Sequence, residues 1–264
     1  MRRYAIILIA GQSRRFVQGD KCLALIRGKP IVLYSLEVFQ RSGIFDHFIF
    51  VYRDETQREV LENHLRNHFP PEILSKILWI LGGKERMFSV FNALKVIRER
   101  LSPEAFVFIH DGARPMLSIG NILAIDALLS LECGVVLAHR VTDTVAWIVA
   151  GEGDFLPREN VEIFENTPPV TQLLSDSCGK AQRRYLDRDK LWSLETPQAF
   201  YFPKIFVDYQ RALGANRCLT DDSSLFSGTI NFLENKSLNL KITSLRDLEF
   251  FEKFLTPSEN GEIK

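Results

Sequence analysis

A short apolar run ending at Ala10 gives way to Gly11-Gln12-Ser13-Arg14-Arg15-Phe16-Val17-Gln18-Gly19-Asp20-Lys21, a turn with two glycines, two arginines and a lysine. Glycines let backbone N–H groups approach an anion and the cations neutralise it, so the turn suits a phosphate; a solvated basic loop has the same composition. Two common phosphate loops are excluded. Ser13 stands where Gly-x-Gly-x-x-Gly needs a glycine, and Lys21 is flanked by Asp20 and Cys22, not by Gly and Ser or Thr. Farther on, His110-Asp111-Gly112-Ala113-Arg114-Pro115 offers a carboxylate that can hold Mg2+ near phosphates, or merely cap the next turn. Gly82-Gly83-Lys84-Glu85-Arg86, with Ser89 following, permits close ligand approach or a tight turn.

Each of these stretches follows a run with the character of a strand. Tyr4–Ala10 is continuously apolar, as expected of a strand buried on both faces, and Phe48–Tyr52, Ile77–Leu81, Phe106–His110 and Gly134–Ala138 are further strands. The last of them leads to Val141-Thr142-Asp143-Thr144. Helical patterns alternate with them: Ile31–Ser42, opened by Pro30 and closed by Gly43, then Glu55–Asn67, Glu85–Arg100 and Ile119–Leu131. The alternation predicts an α/β fold, a mostly parallel sheet with helices on both faces. Ligands of such sheets bind beyond the carboxyl ends of the strands, which is where the chemistry-bearing turns fall.

Regularity breaks after Trp147. Residues 148–184 carry Gly151, Gly153, Pro157, Pro168, Pro169 and Gly179 with no sustained period. This length is uncommon inside a compact domain and predicts an excursion: an extended arm, a partner-contacting insertion, or a partly disordered stretch. Tyr201–Phe202, a helix over Lys204–Leu213, strands near Ile230–Leu233 and Leu240–Thr243, and a helix over Leu245–Leu255 complete a single domain spanning 1–264, with a frayed polar tail from Thr256.

The bulk numbers narrow the class. The 264 residues are 46% hydrophobic, enough for a sizeable core, and 33 basic residues cancel 33 acidic ones. A neutral chain gives no electrostatic reason to expect a nucleic-acid or membrane partner, and no run reaches the length of a membrane span. Cysteines at 22, 133, 178 and 218 have neither zinc-site nor disulfide spacing, which fits incidental thiols in a reducing cytosol. His64 and His68 lie four apart on a helix, but without a His-Glu-x-x-His pattern they read as a solvated face.

Taken in order, Ala10-Gly11 with Arg15, Lys21, Gly82-Gly83-Lys84-Glu85-Arg86 with Ser89-Val90, His110-Asp111 with Ala113-Arg114-Pro115, Asp143-Thr144, Asp187-Arg188 with Leu191-Trp192 and Thr196-Pro197-Gln198, and Lys241-Ile242-Thr243 resemble the 2-C-methyl-D-erythritol 4-phosphate cytidylyltransferase family. The resemblance covers roughly 4–147 and 185–255. It implies a Rossmann-like, GT-A-like nucleotidyltransferase fold with an extended β-arm at 148–184, a cytoplasmic homodimer joined through that arm, and transfer of CMP from CTP to a sugar-alcohol phosphate with Mg2+. It further implies that Arg15 and Lys21 stabilise charge at the triphosphate, and that Ala10, Gly11, Gly83 and Ser89 line the cytidine pocket. Asp111 would lie near the metal and Arg114 beside the nucleotide. Thr144, Arg188 and Lys241 would position the acceptor, with Lys241 also reaching the α-phosphate. The chemistry is coherent with that inventory: an acceptor phosphate oxygen is already an anion, so no general base is needed, and the work is charge neutralisation and in-line positioning.

Three features depart from the family pattern. Lys84 replaces a usual acid, Ile9 and Ser13 stand where Ala and Gly are common, and the stretch from Thr144 to Asp187 is longer than usual. Ribitol 5-phosphate is the alternative acceptor. A non-catalytic nucleotide-binding domain would be expected to lose the turnover cations Arg15, Lys21 and Lys241, and a nicotinamide dehydrogenase would need the missing glycine fingerprint.

Overall fold

The computed structural model describes residues 1–12, 16, 19–150, 174–175, 180–215 and 221–255. Arg15, most of the stretch over 148–184 expected to form an arm, and the tail from 256 therefore lie outside the described residues. The chain divides into two compact units, 1–138 with 194–264 and 139–193.

The larger unit is built on β1 (Arg2–Leu8), the small hairpin β2 (Leu25–Ile26) and β3 (Lys29–Pro30), α1 (Ile31–Ser42), β4 (His47–Tyr52), α2 (Glu55–His68) and the short α3 (Pro71–Leu74). It continues through β5 (Ile77–Leu81), α4 (Arg86–Arg100), β6 (Ala105–Asp111), α5 (Ile119–Leu128) and β7 (Cys133–Arg140). In the smaller unit β8 (Ala146–Ala150), β9 (Leu174–Ser175) and β10 (Lys180–Tyr185) form an antiparallel sheet of order β8-β10-β9. The chain then runs through β11 (Trp192–Tyr201), α6 (Phe202–Gly214), β12 (Thr229–Glu234) and α7 (Leu245–Phe254).

Seven strands make the main sheet, in the order β12-β7-β11-β6-β1-β4-β5. β1 pairs in parallel with β4 on one side and β6 on the other, Ala5 lying opposite both Phe48 and Phe108. Successive side chains point to opposite faces of a strand, so an apolar run without alternation supplies two cores at once. Ala5 and Ile7 pack with Leu33, Leu36 and Phe39 of α1, Leu61 and Leu65 of α2 and Ile122 of α5. Tyr4 and Ile6 face the other way, onto Val90, Leu94 and Ile97 of α4 and Ile205 and Tyr209 of α6. The expected sheet with helices on both faces is what forms.

Helix ends follow local chemistry. Pro30 caps α1 and Gly43 closes it in the left-handed conformation at φ 73°. Asp54 and Ser118 accept the Gln57 and Asn121 N–H groups at the starts of α2 and α5, and Ser244 with Asp247 forms a capping box on α7.

Several expected boundaries shift. β1 begins at Arg2, because its pairing with β6 extends to Arg2 opposite Ala105, and it ends at Leu8, before Ala10. Residues 240–243 are not a strand; a backbone bond from Ile242 N–H to Ala113 O, 2.8 Å, tethers them to the turn after β6. The largest omission is β11, a ten-residue strand between β7 and β6 that runs antiparallel to β6. Pro197 concealed it, since proline argues against a central strand; the register with β6 begins at Gln198, just past it.

Candidate active site

Every residue of β6 is buried, and the strand delivers Asp111 to its carboxyl end. There the chain turns hard against β1: Gly112 N–H donates to Leu8 O at 2.9 Å, and a Cβ at Gly112 would lie 2.7 Å from Ile9 Cγ2. Only glycine fits that approach.

A buried chain of hydrogen bonds fixes the turn. The Asp111 N–H donates to Thr196 Oγ1 at 3.1 Å, and the Thr196 hydroxyl lies 3.1 Å from His110 Nδ1. His110 Nε2 is 3.1 Å from the Arg114 carbonyl, which can only accept; the proton is therefore assigned to Nε2, and Nδ1 accepts from Thr196. Ser35 donates to the same carbonyl at 2.9 Å. Burial holds the His110 imidazole neutral, pushing its pKa down to about 4. Unfolded chain takes up a proton below about pH 6.5 that folded chain refuses until about pH 4. The stability this contributes is complete above pH 6.5 and is lost as pH falls toward 4, up to about 3 kcal/mol in all. Urea unfolding between pH 7 and 4.5 should show that decline, and His110→Gln should flatten it; an unchanged acid slope in the variant would assign the decline to other groups.

Cations surround Asp111. Lys241 Nζ is 2.6 Å from Oδ2, brought there by the Ile242–Ala113 backbone bond, and Arg86 Nε is 3.4 Å from Oδ1. Burial would raise the Asp111 pKa, but Arg86 and Lys241 outweigh it and hold the carboxyl well below the usual range. Arg86, at the start of α4, turns its other edge to Asp222, with Nη1 and Nη2 2.8 and 2.7 Å from the two oxygens. The Tyr209 hydroxyl also donates to Asp222, which is wholly buried. Arg114 Nη1 donates to the Asn239 carbonyl at 2.8 Å, and Asn239 is held by Glu195 and the Thr196 carbonyl.

The turn after β1 closes on the same region. Asp20, Lys21, Asp111 and Lys241 all act electrostatically on the buried Cys22 thiol, so the four converge; burial, reinforced by Asp20, pushes that thiol up to about 12. Gly82 lies against β1's exit, since a Cβ there would be 2.5 Å from Ala10 Cβ. Gly83 N–H donates to Ser89 Oγ at 3.0 Å, while Ser89 itself donates to Glu85 O.

Of the expected site residues, the structure thus gathers Lys21, Asp111, Arg114 and Lys241 at the carboxyl ends of β1 and β6, with Ala10 against the Gly82-Gly83 turn and Ser89. Gly11 lies exposed just past Ala10. Thr144 and Arg188 belong to the smaller unit, where Arg188 Nη1 donates to Thr142 O at 3.3 Å. Sequence reasoning assigned no part to Arg86, Asp222, Thr196 or His110. Arg86, His110 and Thr196 sit inside the quoted motifs, whereas nothing near Asp222 singled it out.

No group of three or more His, Cys, Asp or Glu able to hold a metal occurs among the described residues. Asp111 fits Mg2+ as a single carboxylate donor, because Mg2+ commonly takes one or two carboxylates and completes its shell with substrate phosphates and water. Such a set of fixed cations around one carboxylate, with glycine turns on either side, suits binding and rearrangement of phosphates.

The chain matches the family described as 2-C-methyl-D-erythritol 4-phosphate cytidylyltransferase over residues 4–156 and 175–257. The protein of that name from Dictyoglomus thermophilum is 31% identical, over 96% of each chain. Its counterpart from Halalkalibacterium halodurans is 29% identical over 98% of this chain and 99% of its own. Among solved structures, 4-diphosphocytidyl-2C-methyl-D-erythritol synthase from Anaerococcus prevotii has the same fold, with a TM-score of 0.69 at 23% identity, covering 96% of this chain and 98% of its own. The 2-C-methyl-D-erythritol 4-phosphate cytidylyltransferase of Francisella tularensis gives 0.62 at 25% identity over 96% and 99%.

Proposed function

The chain belongs to the 2-C-methyl-D-erythritol 4-phosphate cytidylyltransferase family, and from that premise we propose that it transfers CMP from CTP to 2-C-methyl-D-erythritol 4-phosphate and releases pyrophosphate. The observation that carries this reading is Asp111 at the carboxyl end of β6, flanked by Lys241 and Arg86 and converging with Lys21.

In this reading an oxygen of the acceptor phosphate attacks the α-phosphorus of CTP, a new P–O bond forms, and the bond to the β-phosphate oxygen breaks. Lys21 and Arg15 neutralise the charge that grows on the triphosphate, and Lys241 draws the acceptor phosphate and the α-phosphate together. Arg114 flanks the nucleotide, Ala10, Gly11, Gly83 and Ser89 line its cytidine end, and Thr144 and Arg188 contact the acceptor. Asp111 would hold Mg2+ together with phosphate oxygens, and the ion would supply further charge neutralisation there. A homodimer joined through the arm and a cytoplasmic location accompany the reading; sedimentation velocity of the purified chain and cell fractionation test them. No helix among the described residues is long and apolar enough to cross a membrane.

Purified protein with Mg2+ and CTP should release pyrophosphate with 2-C-methyl-D-erythritol 4-phosphate. Release only with ribitol 5-phosphate would move the acceptor, and release with neither, from folded protein, would overturn the proposal. Lys21→Ala should lower kcat at least ~10²-fold, as expected for lost charge stabilisation.

A further inference from the structure

Asp20 is a charged residue that the chemistry above does not use. Its side chain is only 9% exposed, although it directly precedes the half-buried Lys21. Oδ2 accepts from Arg53 Nη1 at 3.0 Å and from Gln57 Nε2, and Oδ1 accepts the Cys22 N–H at 2.9 Å. The Asp20 carbonyl accepts Leu23 N–H at 3.1 Å. Lys21 is thus spanned twice, by a side-chain bond to the residue after it and by the backbone bond to the one beyond. Gln57 ties this turn to its own origin, since Nε2 also donates to Ile9 O at 2.9 Å, just past β1. Arg53 is braced in turn, its Nε on Asp54 at 2.7 Å and its N–H on Gln57 Oε1 at 2.7 Å.

We propose that Asp20, clamped by Gln57 and Arg53, is a positioning residue that fixes Lys21 for turnover, an inference resting on the reading that Lys21 stabilises the triphosphate. A buried carboxylate is costly unless several donors satisfy it. Here three donors do so, and they come from the start of α2 and from the turn itself. The arrangement gives the loop a rigid end at the residue whose displacement matters most, because an error of about 1 Å in a catalytic group can cost ~10²-fold in rate.

Asp20→Asn keeps the acceptor for Cys22 N–H but turns an amide toward two donors. It should lower kcat by about 10- to 100-fold while the KM for CTP changes less than about threefold. The decisive readout is the double variant. In a Lys21→Ala background, Asp20→Asn should bring no further loss, because the group it positions is gone. A full multiplicative loss there, or normal kcat in Asp20→Asn alone, would overturn the proposal. Near-normal kcat in Lys21→Ala alone would instead overturn the underlying reading, so the two failures are separable. Should Asp20→Asn fail to fold, Arg53→Met, at a side chain 34% exposed, removes one donor from the clamp; it should lower kcat by about 3- to 10-fold, again only when Lys21 is present, and an equal loss without Lys21 would count against the proposal.

Discussion

Asp222→Ala is expected to destabilise the protein by about 3–5 kcal/mol, the range for removing one partner of a buried ion pair. The cause is what the substitution leaves behind. Arg86 sits with its guanidinium mostly out of solvent, where burial alone would pull its pKa down; Asp222 outweighs that and holds it above the ordinary value. Without Asp222, Nη1 and Nη2 lose the carboxylate they donate to, and among the described residues Asp111, 3.4 Å from Nε, is the carboxylate left to Arg86. Tyr209 loses its acceptor as well, and its phenol is strongly held in the neutral, donating form by burial and by Asp222. Urea unfolding at neutral pH gives the number directly. A paired change, Arg86→Met with Asp222→Leu, should recover much of that stability, since apolar replacement of a whole buried pair is often near neutral. It should not recover turnover, because Arg86 also faces Asp111. If the single variant costs less than about 1 kcal/mol, Arg86 has another way to satisfy its charge.

This pair also marks how far the sequence could be read. β1 was legible because four consecutive buried residues, Tyr4 to Ile7, feed two cores and so form an unbroken apolar run. Helix α1, with Pro30 before it and Gly43 after it, fell into place for a similarly local reason. β11 did not, and its residues explain why. It buries Glu195, Thr196 and Gln198 at the centre of the main sheet. Their partners are supplied from elsewhere: Asn235 and Asn239 for Glu195, the Asp111 N–H and His110 for Thr196, and Asp221 for Gln198. Polar side chains buried ahead of Ala199 and Phe200 break the hydrophobic pattern of the strand, and Pro197 disguises it further. In the site, turns announced by glycines beside charges were visible. Arg86 and Asp222 are 136 positions apart, and only the folded sheet reveals that one braces the other.

The Asp111→Asn variant should retain the fold and lose turnover on the order of 10²–10³-fold, the range for deleting a single electrostatic contributor from a preorganised site. The fold should survive because the bond that secures the turn is made by the backbone: Asp111 N–H reaches Thr196 Oγ1 whatever the side chain, and Gly112 still packs on Ile9. Turnover should not survive, because the carboxylate separates two cations. Lys241 at 2.6 Å and Arg86 at 3.4 Å would face each other across a neutral amide, and the carboxylate proposed to hold Mg2+ would be gone. Since those cations keep Asp111 ionised below the ordinary carboxylate range, wild-type kcat should show no acid limb from this group between pH 5 and 8, and its contribution to stability should fade only at pH values below about 3.8. The measurement is kcat at saturating CTP across a Mg2+ titration, alongside thermal unfolding of the same preparation. A role in the chemistry predicts low turnover from folded protein with a raised Mg2+ requirement. A role confined to capping the turn predicts the reverse, a lower unfolding temperature with near-normal turnover at unchanged Mg2+, and that outcome would remove Asp111 from the chemistry while leaving Lys21 and Lys241 to be tested on their own.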